Sequence, residues 1–151
     1  MKVNITPNWR IWLARGLIAY VLVVNVQAAV QFLIQPEVYA PGFELSGAAG
    51  EGMIRGMGVL FLMWNVPYAV ALSHPVKRQV SLIEAVVMQA IGFFGETFLL
   101  LGFPPGHAVL ADSVGRFIVF DGIGLGVLVV ALALNFNHRG AEAQRNPRYG
   151  G

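Results

Sequence analysis

The chain has 151 residues, 56% of them hydrophobic and 12% charged, with a net charge of +2 and no cysteine. A soluble domain carries about 25% charged residues, and a chain this short leaves a large share of its area exposed, so lipid is the solvent that suits it. Without cysteine there are no disulfides, thiol relays or thiolate metal sites.

A helix needs about 20 mainly apolar residues to cross about 30 Å of hydrocarbon. Four segments satisfy this: 11–34, 53–72, 82–101 and 116–136. The expected fold is therefore all-α, a single four-helix transmembrane domain over residues 1–136. A polar tail, 137–151, carries Gly and Pro and is expected to be disordered. The first span begins with basic residues and contains Gln27-Ala28-Ala29, which resembles a signal-peptide cleavage site. The whole run is long for a signal sequence, so it is expected to remain as a span. Gln35-Pro36 stops the first span, Ser73-His74-Pro75 the second, and Pro104-Pro105-Gly106 follows the third.

Lys and Arg in short loops set orientation. Lys2, Arg10 and Arg15 precede or open the first span, Lys77 and Arg78 separate the second from the third, and Arg139, Arg145 and Arg148 follow the fourth. All fall on one side, which places both termini in the cytoplasm of a cell whose plasma (inner) membrane the chain crosses. Glu37, Glu44, Glu51 and Asp112 fall on the other side. The excess of positive charge is then topological, and no nucleic-acid partner is expected. Trp9 and Trp12 suit the inner interface, and Tyr39 and Phe43 suit an outer loop lying as a cap on the bundle.

Ionisable groups inside spans are expensive and face the bundle interior or water. Glu96 lies about five residues from the outer end of the third span and Asp121 about five into the fourth, so both sit roughly 8–9 Å below the outer edge. Arg55 and Arg116 begin the second and fourth spans at that side, and the four charges sum to zero. Helix phase aligns Gln89, Gly92 and Glu96 on one stripe and Tyr20, Gln27 and Gln31 on another. These faces are expected to converge on a polar pocket or to close as a structural knot of ion pairs and amides. Asn25, Asn65 and Gln89 lie near mid-membrane, and Pro67 kinks the second span beside Asn65. Glu84 is expected to be paired with a nearby cation or exposed. Gly52-x-x-x-Gly56, continuing to Gly58, and Gly122-x-Gly124-x-Gly126 permit close helix approach, within the bundle first and otherwise with a partner subunit. The pocket residues are thus Gln27, Gln31, Arg55, Asn65, Gln89, Glu96, Arg116 and Asp121. His74, His107 and His138 fall in loops or the tail, so no haem ligand lies at depth. No metal site and no cofactor is expected, though a quinone or other lipophilic ligand is compatible with the pocket.

The outer segment Gln35-Pro36-Glu37-Val38-Tyr39, followed by Gly52-Met53-Ile54-Arg55-Gly56-Met57-Gly58, resembles the DoxX-like group of small four-helix membrane proteins. The likeness is one of layout and covers roughly Leu17 to Leu134, with Arg55 as the one position that aligns. It implies a multi-pass membrane protein, in some members beside quinone-linked redox complexes. Small multidrug transporters carry their acid in the first span and vitamin K-type reductases need cysteines; neither feature is present. Three functions follow as expectations. One is an accessory subunit or lipophilic-ligand-binding bundle, with partner subunits or a second copy in the bilayer. Another is an intramembrane isomerase or hydrolase using Glu96 and Asp121 as acid and base. The third is a proton-coupled transporter.

Overall fold

The computed structural model describes residues 9–145, with side chains through Phe136. Its elements are α1 (Trp9–Ile34), α2 (Pro36–Tyr39), a 3-10 turn (Ala40–Phe43), α3 (Gly47–Trp64), α4 (Val66–Ser73), α5 (Gln79–Leu101) and α6 (Ala108–Arg145). Every described element is helical. Four helical segments, Trp9–Ile34, Gly47–Ser73, Gln79–Leu101 and Ala108–Phe136, are long and apolar enough to cross a membrane.

Burial is inverted relative to a soluble bundle. Phe98 is 72% exposed and Leu101 77%, and Trp12, Ile34, Val80 and Ile91 also point outward. The contacts that hold the bundle are narrow stripes of small and branched residues. Ala14, Ile18 and Val21 of α1 meet Tyr68 and Ala71 of α4, Leu82 and Ala85 of α5, and Leu128 and Ala131 of α6. Lipid tails are as apolar as leucine, so close packing rather than water exclusion drives such association.

The second span is broken at Asn65. Pro67 has no N–H, so the turn before it loses a helical bond and the axis changes direction. Asn65 caps the break from within, its Nδ2 donating to the Phe61 carbonyl at 2.6 Å while its own backbone N–H bonds the same carbonyl at 3.2 Å. The Asn65 amide N–H therefore serves its own helix. The break lets α4 pack against both α1 and α5, whereas α3 leans on α1. Towards α6, α3 is bridged by rings, with the centroids of Phe61 and Phe117 6.0 Å apart.

The two ends of the bundle are tied differently. At one end Asn135 Nδ2 donates to the Pro75 carbonyl at 3.1 Å, joining the α4–α5 turn to α6. At the other, the segment 36–45 folds as a cap. Phe32, Ala40 and Ile54 form its buried floor, with Tyr39, Phe43, Leu45 and Phe117 packed around them.

Several expectations change. The helix that begins at Ala108 runs to Arg145, past Phe136, where the polar composition suggested a disordered tail. An existing helix elongates cheaply, and Ala141-Glu142-Ala143 are strong helix formers. Lys2, Arg148 and the remainder of the tail, 146–151, lie outside the described residues. Gly52 and Gly56 face open space, and the close approach falls to Gly58, where a methyl group would meet the Ala29 carbonyl at 2.8 Å. Gly126 is likewise open. Glu84 is exposed.

Candidate functional site: two adjoining cavities

Two spaces adjoin at Phe120, one beneath the cap and the other deeper in the bundle. The lower is small, about 40 Å³, and polar. Each of its walls follows from a helix stripe. On α5, Leu82, Ala85 and Gln89 are buried at i, i+3 and i+7, and the stripe continues through Gly92 to Glu96. On α6, Asp121 lies one turn above Gly124 and two above Leu128, both buried. Asn25 enters from α1, with Asn65 and Tyr68 from either side of the Pro67 break.

The groups form a directed chain. Tyr68 donates its hydroxyl proton to Gln89 Oε1 at 2.6 Å, and Gln89 Nε2 donates to Asp121 Oδ1 at 2.7 Å. Glycines make room for it from both sides. A methyl at Gly92 would fall on the Asp121 carboxylate, and one at Gly124 would meet Gln89 Nε2 at 2.6 Å. Each glycine thus seats the polar side chain of the opposite helix. The structure brings Asn65, Gln89, Glu96 and Asp121 together around this cavity.

It does not bring the two arginines there. Ile54 and Gly58 occupy the buried stripe of α3, so Arg55, one position past Ile54, turns outward and lies 3.6 Å from Glu51, one turn back. Arg116 Nη2 donates to Ser113 Oγ at 2.9 Å, above the cavity. The four charges therefore do not form one neutral cluster. Gln27 and Tyr20 are exposed on α1, and Asn25, two residues from Gln27, supplies the polar group of that helix. Tyr68 and Asn25 were the residues that the candidate pocket set lacked. A tyrosine inside the second span, five residues before its end at Ser73, was the available signal, because a buried tyrosine hydroxyl takes a partner.

The upper space is a groove of about 420 Å³, within the range of small-molecule sites. Phe32, Tyr39, Phe43, Phe117 and Phe120 wall it with rings, and Gln31, Ser113 and Arg116 supply polar atoms. Phe32 is the hub, its ring centroid 4.9 Å from Tyr39, 6.2 Å from Phe43 and 6.0 Å from Phe117. Tyr39 donates to Gln31 Oε1 at 2.9 Å and Ser113 Oγ donates to the Gly42 carbonyl at 2.5 Å. Among the described residues Arg116 has no acidic partner.

The cap over this groove is clasped to α6. Glu44 adopts φ 56°, a left-handed conformation uncommon outside glycine. Its Oε2 lies 2.6 Å from His107 Nδ1 and its Oε1 accepts from the Leu110 N–H at 3.4 Å, in the first turn of α6. A carboxylate there meets free N–H groups and the positive end of the helix dipole. The hydrogen bond from His107 holds the Glu44 carboxyl below its ordinary value of 4.5, with the Leu110 N–H adding to it. A lowered carboxyl pKa contributes stability that is complete above the ordinary value and is lost as pH falls through the folded value. Amide exchange in residues 40–45, corrected for its intrinsic pH dependence, is expected to accelerate on acidification below the carboxylate range. Glu44→Gln should show the fast exchange at neutral pH. Equal protection in both proteins at every pH would show that the clasp does not hold the cap.

No family model, no curated protein and no solved structure matches this chain.

Proposed function

We propose that this protein is a multi-pass membrane protein that binds a lipophilic ligand in the groove beneath its cap. The observation that carries the reading is the groove itself: five rings around about 420 Å³, with one arginine at its edge that is not neutralised by any described acid. An aromatic wall favours an apolar body. Arg116, beside the Ser113 hydroxyl, favours a head that accepts charge-assisted hydrogen bonds, such as a carboxylate, a phosphate or the carbonyl of a quinone. Lipid-facing helices give such a molecule a route from the bilayer.

The basic residues flanking the spans support an orientation with both termini in the cytoplasm, and with it the plasma (inner) membrane as location. The groove would then open at the outer leaflet. The DoxX-like resemblance is compatible with this reading and with a place beside a redox complex as an accessory subunit; a homodimer is also compatible.

An enzymatic reading is favoured by one observation, that Glu96 and Asp121 line the same cavity. Its size counts against it, since about 40 Å³ holds a water-sized guest and not the reacting centre of a lipid. A substrate would have to displace Phe120. The test of the binding reading is covalent capture: a photoreactive fatty acid should label the walls of the groove. Labelling confined to the general lipid-facing surface would count against it.

A further inference from the structure

We propose that the lower cavity, between Asn25, Asn65, Glu96 and Asp121, is a binding site for one desolvated alkali cation of sodium size. This goes beyond the groove and does not depend on it, for the two spaces share only Phe120 among their lining residues.

The first observation is an excess of acceptors. Four buried side-chain oxygens among the described residues have no hydrogen-bond partner, and three of them belong to residues lining this cavity: Asn25 Oδ1, Asn65 Oδ1 and Glu96 Oε2. Buried polar atoms are otherwise almost always satisfied. Asn65 is only 5% exposed, and because its Nδ2 is held on the Phe61 carbonyl, its oxygen is the atom left for the cavity. Two of the donors beside it are committed. Tyr68 gives its proton to Gln89, and Gln89 gives one of its own to Asp121.

The second observation is charge. Two carboxylates line the cavity and no Lys or Arg does. Arg55 is on Glu51 and Arg116 on Ser113. An intramembrane carboxylate pair without a cation is costly.

Three kinds of occupant address these facts differently. A proton neutralises a carboxylate but leaves the two amide oxygens without a donor. A water supplies donors but no charge. A small alkali cation accepts carboxylate and amide oxygens alike as ligands and offsets one of the two charges. Calcium takes six to eight oxygens. Glu96 Oε2 and one oxygen from each amide make three, and the second oxygen of Asp121, seated against Gly92, would make a fourth, which falls short. The volume of about 40 Å³ has room for a bare ion, as it has for a water.

The test uses the full chain, purified in a non-ionic detergent without sodium, with choline chloride holding the ionic strength. Radioactive sodium should bind saturably, at one ion per chain, and be displaced by lithium but not by choline. Saturating sodium should raise the thermal midpoint, as any ligand of the folded state does. Glu96→Gln and Asn25→Ala should each weaken sodium binding at least about tenfold, the loss of roughly one charge-assisted contact. The titratable groups facing the cavity are Glu96 and Asp121 from α5 and α6 and Tyr68 from α4, so acid should compete with sodium. Absence of saturable binding by the unaltered protein overturns the proposal whether or not the variants fold. So does binding that both variants retain. Stabilisation by acid with no response to sodium would assign the cavity to a proton, and would overturn it equally.

Discussion

Gly92→Ala is expected to destabilise the bundle by about 2–4 kcal/mol, whereas Gly95→Ala, three residues on, should leave it unchanged or slightly more stable. At Gly92 the added methyl falls on the Asp121 carboxylate, while at Gly95 it meets nothing within 4 Å. Overpacking a tight contact costs about 1–3 kcal/mol, and pushing Asp121 away from Gln89 also forfeits a hydrogen bond to a charged group, about 1.5–3 kcal/mol; the two losses overlap. On an open helix face the same substitution gains up to about 1 kcal/mol of helix propensity. Thermal unfolding in detergent separates the two, and equal midpoints would mean that α5 and α6 do not meet at this glycine.

Arg116→Gln is expected to weaken binding of a lipophilic carboxylate by about ten- to a hundredfold while leaving its methyl ester nearly unaffected. A hydrogen bond to a charged group contributes about 1.5–3 kcal/mol, and about 1.4 kcal/mol is tenfold in affinity. The ester keeps the apolar body that the rings of Phe32, Phe43 and Phe117 recognise and lacks the charge. Competition of both compounds against a fluorescent fatty acid measures the difference. A loss shared equally by acid and ester would point to a change in the shape of the groove rather than to recognition by the guanidinium.

The four spans were legible because hydrocarbon imposes a length and a composition on any helix that crosses it, and the break at Pro67 because a missing N–H is a local fact. The site was legible only in part. Helix phase placed Gln89, Gly92 and Glu96 on one stripe, since the three share a helix and need no knowledge of its neighbours. The meeting of charges on different helices depends on rotation, which composition leaves open. One position of phase separates buried Ile54 from exposed Arg55, and so an arginine at the right depth pairs with Glu51 instead of an acid on another span. The glycines show the same limit. Of the glycines that the spacing pointed to, Gly52, Gly56 and Gly126 are open while Gly58 and Gly124 make close contacts, and Gly92 lies outside both motifs; the partners of these three lie on other helices. The aromatic groove was least visible, because Phe32, Phe43 and Phe117 lie far apart in sequence and converge only when the cap folds back over α1 and α6.

A photoreactive fatty acid bearing a diazirine in its chain, crosslinked to the full chain in nanodiscs and mapped by peptide mass, tests the ligand-binding reading most directly. The account predicts labelling concentrated in residues 28–43 and 113–120, displaced by excess unlabelled acid and strongly reduced by Arg116→Gln. Labelling spread along the outward faces of α5 around Phe94, Phe98 and Leu101, undiminished by competitor, would contradict it.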